Sequence, residues 1–128
     1  MMQEEGGTKV YFWDTYAIIE LLKGNPNYSK YFSEEVTITL FNLAEIYWSA
    51  LNDLVLGDPD QIYNRYSQCV VEISDEVLKE AIKFRKANKK KNLSYTDCID
   101  YIYALKKGMV FLTGDKEFQG IKNVEFAK

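Results

Sequence analysis

Residues 10–22 read VYFWDTYAIIELL, and this stretch decides the fold class. The β-branched and aromatic residues 10–13 predict a short buried strand, and the apolar positions of residues 16–22 recur with the period of a helix. The helix is expected to stop at KGNP, residues 23–26. A buried strand that runs directly into a helix is the building unit of an α/β fold. Asp14 is the one charge at the point where the strand ends and the helix begins.

The same strand-to-helix unit recurs along the chain. Further strands are predicted at residues 35–40, 69–73, 109–113 and 124–126, and further helices at residues 42–57, 59–68, 75–90, 95–107 and 114–118. Short apolar strands that alternate with helices predict an α/β fold whose parallel sheet is covered on both faces. Because no repeat, low-complexity tract or linker interrupts the pattern, we expect a single domain over residues 1–128, with residues 1–8 flexible.

Composition removes several kinds of chemistry. The chain has 128 residues, of which 47% are hydrophobic and 15% aromatic, and it contains no histidine. A Ser-His-Asp or Cys-His arrangement, a histidine general base and a histidine-ligated zinc site are therefore excluded. The net charge of -3 argues against a surface that binds nucleic acid everywhere, but it allows a local basic patch.

The two cysteines indicate a reducing environment. Cys69 and Cys98 show no paired spacing, so neither a disulfide framework nor a thiolate zinc site is predicted. The opening residues MMQEEGGT lack the basic region and apolar run of a signal peptide, and no later stretch has the roughly 18 to 20 apolar residues of a membrane span. We expect a cytoplasmic protein without a membrane partner.

Four acids fall where a parallel sheet gathers its reacting groups, at the carboxyl ends of the strands. Asp14 ends the first strand, Glu45 lies in the first turn of the helix after the second strand, and Asp115 follows the strand at residues 109–113. Asp97 joins them if its helix packs over the same edge. Gathered carboxylates raise one another's pKa, so they require a cation or a retained proton. Oxygen ligands without histidine or thiolate suit Mg²⁺ or Mn²⁺.

Each acid also has a purely structural interpretation. The spacings Asn42-x-x-Glu45 and Ser94-x-x-Asp97 are typical of capping boxes. Asp14 and Asp115 can serve as a helix cap or a turn residue. Capping does not explain why four acids share one edge, and it is compatible with metal binding.

Four segments, in this order, carry a resemblance to a known family. They are FWDTY at residues 12–16, NLAEI at 42–46, SYTDCIDYIYALKKG at 94–108 and VFLTGDKEF at 110–118. Together they make the chain resemble a PIN domain, and most of all the VapC-type toxin nucleases of VapBC toxin-antitoxin pairs. The pair formed by the last two segments is the most specific part of the resemblance.

The resemblance implies a three-layer α/β/α sandwich with a central parallel sheet and an acidic Mg²⁺ or Mn²⁺ site. It implies an endoribonuclease that hydrolyses RNA phosphodiester bonds and leaves a 5′ phosphate and a 3′ hydroxyl. The catalytic acids of the family correspond to Asp14, Glu45, Asp97 and Asp115, of which Asp14, Asp97 and Asp115 are the expected metal ligands.

Other positions are expected to support this site. Thr15 follows the first acid and Thr113 precedes the last, where a hydroxyl or small polar residue is common in the family. Asn42 replaces a frequent Thr or Ser and is expected to cap its helix. Asp100 departs from the family pattern and is either an extra ligand or a solvated side chain. Glu117 stands where many relatives have a second aspartate. We expect it to lie beside the metal ligands without binding the metal itself.

Substrate and partners are indicated by two further groups of residues. The run KEAIKFRKANKKK at residues 79–91 concentrates cations before the Asp97 helix, and we expect its lysines to contact RNA, although a solubilised helix end is the alternative for any single one. The lysines concerned are Lys86, Lys89, Lys90 and Lys91. Seven aromatic residues could stack bases or line an interface: Tyr47, Trp48, Tyr63, Tyr66, Tyr95, Tyr101 and Tyr103.

Toxin-like relatives receive an antitoxin peptide and form homodimers, so the resemblance implies both partners here. Two alternatives stay open at this point. One is a PIN-type RNA-processing nuclease without an antitoxin, and the other is a catalytically inactive PIN scaffold, which the presence of all four acids opposes. A receiver-type domain also gathers acids beside a parallel sheet, but its paired acid and late lysine are not evident.

Overall fold

The computed structural model describes residues 8–128. Its first unit is strand β1 (Tyr11–Trp13) followed by helix α1 (Thr15–Leu22), as the opening stretch predicts. The remaining strands and helices, in chain order, are β2 (Ile38–Thr39), α2 (Leu40–Asn52), α3 (Pro59–Ser67), β3 (Val70–Val71), α4 (Asp75–Ala87), α5 (Tyr95–Lys106), β4 (Val110–Thr113) and β5 (Val124–Phe126). Short 3₁₀ helices lie at Pro26–Tyr31, Leu54–Leu56 and Lys116–Phe118.

All the strand pairs are parallel. Strand β4 lies between β1 and β5, with Trp13 opposite Leu112 and Thr113 opposite Phe126. Strands β2 and β3 form a second pair. The backbone N–H of Trp13 donates to the carbonyl of Thr37 at 3.0 Å, so the pair of β2 and β3 lies beside β1 of the three-stranded sheet β1-β4-β5. The carboxyl ends of β1, β2 and β4 therefore meet at one edge.

Helices cover both faces of this sheet. Because successive residues of a strand point to opposite faces, Trp13 packs with Ile18 and Leu43 on one side, whereas Phe12 packs with Ile99 on the other. The first core lies under α1, α2 and α3, and the second lies under α4 and α5. The three-layer α/β/α sandwich with a central parallel sheet is confirmed.

The start of α2 differs from the prediction. The strand expected at residues 35–40 is only Ile38–Thr39, and the helix begins at Leu40 rather than at Asn42. Thr39 is the N-cap: its hydroxyl accepts from the Asn42 N–H at 3.4 Å, and the Asn42 Oδ1 accepts from the Thr39 N–H at 2.8 Å. The predicted cap at Asn42 and the predicted box with Glu45 are wrong, because Asn42 already occupies the third helical position.

Two other regions complete the comparison with the sequence. The 3₁₀ helix Pro26–Tyr31 was not predicted, yet it buries Tyr28 and Tyr31 against the first core. The expected flexibility of residues 1–8 falls almost entirely outside the described residues. Across residues 8–128, no helix is both long and apolar enough to cross a membrane. Both cysteines are free thiols, and Cys98 is buried.

Candidate active site

Asp14 lies at the end of β1 and is 4% exposed. It occupies the N-cap position of α1, but its side chain makes no capping hydrogen bond. Its Oδ2 instead accepts from the hydroxyl of Thr113 at 2.6 Å. The parallel pairing of β1 with β4 places these two strand ends side by side. The Asp14 carboxylate is therefore buried at the sheet edge, and it does not cap α1.

Asp115 is folded back toward this edge by a tight turn. The hydroxyl of Thr113 accepts from the Asp115 N–H at 3.0 Å, and the Asp115 Oδ1 accepts from the Glu117 N–H at 3.0 Å. Gly114 is buried against the ring of Tyr16 and the backbone carbonyl of Ala127, where a Cβ atom would overlap both. The absence of a side chain at Gly114 lets the backbone lie this close to Tyr16 and Ala127. Thr113 links Asp14 to Asp115.

Asp97 is half-buried in the first turn of α5. The Ser94 hydroxyl accepts from the Asp97 N–H at 3.0 Å, and the Asp97 Oδ2 accepts from the Ser94 N–H at 2.9 Å. The predicted capping box at Ser94 and Asp97 is thus confirmed. Capping uses only one of the two carboxylate oxygens.

Glu45 lies in the second turn of α2, not in the first, because the helix begins at Leu40. Its Oε1 accepts from the hydroxyl of Thr15 at 2.5 Å. The side-chain amide of Asn42 donates to that same hydroxyl at 3.0 Å. Thr15 therefore connects Glu45 to the buried start of α2.

Asp100 is completely buried, so the solvated alternative is wrong. Its Oδ2 accepts from the Asn42 amide at 2.6 Å, and its Oδ1 lies 3.0 Å from the Thr39 hydroxyl. Burial raises its pKa well above the ordinary value of 3.8, and the charge of Asp14 adds to this effect. Its neighbours in α5, residues 98–102, are all buried as well.

Asn42 and Thr39 are the site-supporting residues that the sequence interpretation did not identify in these roles. Both are fully buried, and together with Asp100 they form a hydrogen-bonded cluster that reaches Thr15. A threonine three positions before an asparagine, at the start of an apolar run, is a capping pattern that could have located this cluster.

The acids influence one another across the sheet edge. The pKa of Asp14 is raised from 3.8 to about 7, first by burial and then by the charges of Asp97, Asp115 and Glu45, whereas the hydrogen bond from Thr113 opposes the shift. The pKa of Asp97 is raised by burial and by the charge of Asp115, although its bonds to Ser94 act in the opposite direction.

Glu45 shares this environment. The residue as a whole is exposed, but partial burial of its carboxyl group raises its pKa, and the charge of Asp97 adds to the shift. Within residues 8–128, no lysine or arginine forms an ion pair with any of the four predicted catalytic acids. Their negative charge is therefore not compensated by cationic side chains of the described chain.

The arrangement fits a divalent cation by its donor chemistry. Asp14, Asp97 and Asp115 each give one oxygen to a donor of the chain, and the second oxygen of each accepts no hydrogen bond from residues 8–128. In the described part of the chain, no three acids lie close enough together to hold a metal ion. Uncompensated carboxylates repel one another unless a cation is present.

Glu117 brings one of the predicted RNA-contacting lysines, Lys91, to the Asp115 turn. The Glu117 Oε1 accepts from the Asn92 N–H at 3.1 Å, and its carbonyl accepts from the Lys91 Nζ at 3.4 Å, so this residue ties the loop before α5 to the Asp115 turn. Lys86 lies in the last turn of α4, and all four lysines are exposed: Lys86, Lys89, Lys90 and Lys91.

The aromatic residues divide between the core and the surface. Tyr66 and Tyr101 are buried, whereas Trp48 is 66% exposed and Tyr95 is 58% exposed. Trp48 belongs to an exposed apolar surface on α2 and the chain after it, which also includes Leu51, Leu54 and Val55.

Comparisons with known proteins agree with the fold. The model of the PIN domain family matches residues 11–124. No curated protein matches the chain by sequence.

Among solved structures, similar folds include VapC20 of Mycobacterium tuberculosis, a sarcin-ricin loop cleaving toxin. It is 15% identical, with a TM-score of 0.75 and coverage of 92% of this chain and 99% of that chain. VapBC2 of Rickettsia felis, bound to a DNA fragment from its promoter, is 14% identical, with a TM-score of 0.69 and coverage of 93% and 99%. A toxin-antitoxin complex from Klebsiella pneumoniae is 18% identical, with a TM-score of 0.68 and coverage of 90% and 95%. At these identities the likeness concerns the fold.

Proposed function

This chain belongs to the PIN domain family, and on that premise we propose that it is a metal-dependent endoribonuclease of the VapC toxin type. It hydrolyses RNA phosphodiester bonds and leaves a 5′ phosphate and a 3′ hydroxyl. The observation that carries the proposal is the buried Asp14 carboxylate, whose pKa is raised to about 7 by burial and by three neighbouring acids. Such a perturbed group at the functional edge of a parallel sheet is typical of an active site.

Asp14, Asp97 and Asp115 would hold Mg²⁺ or Mn²⁺. When bound, the ion supplies Lewis-acid stabilisation of the charge that develops on the phosphate. The protein prepares this site by fixing one oxygen of each acid and leaving the second oxygen without a donor from the described chain. Asp100 is not a ligand in this proposal, because both of its oxygens are occupied by Thr39 and Asn42.

Glu45 orients the attacking water and accepts its proton. Its raised pKa makes the carboxylate a better base at neutral pH than an ordinary glutamate. The hydroxyl of Thr15 holds Oε1, and the Asn42 amide holds that hydroxyl in turn. The buried cluster around Asp100 thus positions Glu45 indirectly, through Asn42 and Thr15.

An antitoxin peptide and a second copy of the chain are the proposed protein partners. Four large apolar side chains that follow one another along the end of α2 and the chain after it are exposed, which supports such an interaction: Trp48, Leu51, Leu54 and Val55. This surface favours the toxin interpretation over an RNA-processing nuclease without an antitoxin. The four acids, whose negative charge no cationic side chain of the described chain compensates, argue against the alternative of a catalytically inactive PIN scaffold.

The test is RNA cleavage with and without Mn²⁺ by the wild type, Asp14→Asn and Asp58→Asn. Asp58 is an exposed N-cap of α3, where asparagine caps equally well, so this variant is a matched control. We expect cleavage by the wild type and the control only with the metal, and loss of cleavage in Asp14→Asn. The products should accept ligation through a 5′ phosphate. Full cleavage by Asp14→Asn would contradict the assignment.

A further inference from the structure

A basic groove lies beside the acids, between the end of α4 and the start of α5. Its volume is about 290 Å³, and its lining includes Arg85, Lys86, Lys89, Lys91, Leu93 and Tyr95. Six of the 16 lysine and arginine residues of the chain fall within residues 83–91, and residues 81–96 contain no acid. None of these six forms an ion pair with a carboxylate of residues 8–128. The groove therefore presents positive charge that the described chain does not neutralise.

The ring of Tyr95 packs against Arg85, and both residues line this groove. The guanidinium carbon of Arg85 lies 4.2 Å from the centroid of the Tyr95 ring. The Arg85 Nε donates to the backbone carbonyl of the buried Leu93 at 3.0 Å. This hydrogen bond holds the guanidinium in place. Arg85 covers one face of the ring by a cation–π contact, and the 58% exposure of Tyr95 leaves the remainder of the side chain open to a ligand.

The groove is joined to the proposed reaction centre through its loop. Tyr95 is the first residue of α5 and Asp97 is the third, so the two are near in the chain but their side chains leave the helix on different sides. The loop that carries Lys91 is attached to the Asp115 turn through the contacts of Glu117 with Lys91 and Asn92. The basic groove and the acidic edge are thus parts of one continuous surface.

We propose that the open face of Tyr95 stacks an unpaired base of the RNA beside the phosphodiester that is cleaved. The neighbouring phosphates lie along Lys86, Lys89 and Lys91. A base–aromatic stack requires a base that is free of its own helix, because RNA bases within a duplex are already stacked and paired. This inference rests on the proposed ribonuclease function and adds a binding subsite to it.

A purely structural role for the Arg85–Tyr95 contact is the competing explanation, since it also joins α4 to α5. The two explanations differ in what they require of the substrate. A structural contact affects the binding of every RNA equally, whereas a stacking platform affects only RNA with an unpaired base. The tyrosine hydroxyl is dispensable for stacking, so phenylalanine is expected to replace it.

The experiment measures equilibrium binding of the full chain in EDTA, so that no cleavage occurs. The probes are a single-stranded 12-mer RNA that carries 2-aminopurine and the same 12-mer paired with its complement. The variants are Tyr95→Ala, Tyr95→Phe and, as a matched control, Phe32→Ala, which removes another exposed aromatic side chain, located after the 3₁₀ helix Pro26–Tyr31. Thermal unfolding of each variant checks that the fold is retained.

We expect Tyr95→Ala to bind the single strand about 5- to 150-fold more weakly, which corresponds to the ~1–3 kcal/mol of a base–aromatic stack. Quenching of 2-aminopurine should disappear with it, while Tyr95→Phe and Phe32→Ala bind like the wild type. Duplex affinity and the salt dependence of binding should not change in Tyr95→Ala, because the phosphate contacts remain.

Equal losses for the single strand and the duplex, equal losses in both alanine variants, or no wild-type binding would each overturn the proposal. Its failure is distinguishable from failure of the proposed function because no divalent cation is present. Tyr95-dependent binding without any Mn²⁺-dependent cleavage would refute the ribonuclease assignment alone. Cleavage without Tyr95-dependent binding would refute the stacking subsite alone.

Discussion

Replacing Asp14 by asparagine is expected to stabilise the metal-free protein at pH 8 while it removes the proposed activity. The carboxyl group of Asp14 is buried, and its pKa is raised from 3.8 to about 7. An unfolded chain ionises this group near pH 4, whereas the folded chain keeps its proton until about pH 7. Folding stability therefore falls as the pH rises through this interval, and the loss is complete above it.

The magnitude follows from the two pKa values. Stability changes by about 1.4 kcal/mol for each pH unit over which one state is protonated and the other is not. Between pH 3.8 and about 7, the loss reaches about 4 kcal/mol. Asparagine carries no charge, and its side-chain carbonyl can still accept from Thr113. The free energy of unfolding of Asp14→Asn should exceed that of the wild type by up to this amount at pH 8.

The assay is urea unfolding followed by circular dichroism in EDTA, at half-unit steps from pH 4 to pH 9. The difference between Asp14→Asn and the wild type should be near zero at pH 4, grow through pH 7 and then level off. Asp97, Asp100 and Glu45 also have raised pKa values, so both proteins lose some stability as the pH rises. The difference between the two proteins reports the titration of Asp14 together with the effect of its charge on Asp100.

Two controls sharpen this measurement. Asp58→Asn removes an exposed carboxylate of the same type and should follow the wild-type curve at every pH. Saturating Mn²⁺ should restore stability to the wild type at pH 8 but not to Asp14→Asn, since a ligand stabilises only the state that binds it. A difference between Asp14→Asn and the wild type that is the same at pH 4 and pH 8 would refute the argument that Asp14 is a buried, uncompensated carboxyl group.

Two further variants test the surroundings of the site. Gly114→Ala places a methyl group against the Tyr16 ring and the Ala127 carbonyl, and we expect it to lower the free energy of unfolding by about 1–3 kcal/mol; an unchanged denaturation midpoint would contradict the close packing. Tyr31→Phe removes a hydrogen bond to Glu125, whose pKa is lowered by its partners although burial acts to raise it. Its destabilising effect should be present above pH 4.5 and disappear on acidification, as pH-dependent unfolding curves would show.

The sequence was sufficient for the order of strands and helices. Runs of β-branched and aromatic residues predict the short buried strands. The period of the apolar residues and caps such as Asp58 and Ser94 predict the helices. These patterns depend only on neighbouring residues, so they can be recognised without knowledge of the fold. The strand at residues 35–40 and the start of α2 were misplaced because Thr39 and Asn42 form a capping box inside a segment whose composition is typical of a strand.

By itself, the amino-acid sequence determined which acids are the candidates for the proposed chemistry, because the absence of histidine and the positions of Asp14, Glu45, Asp97 and Asp115 follow from reading the chain. Only the tertiary structure decided the state of Asp100. A carboxyl group one helical turn beyond Asp97 has the same local sequence signal whether it faces water or the core. Its burial depends on α5 packing against the start of α2, where Thr39 and Asn42 bind both of its oxygens.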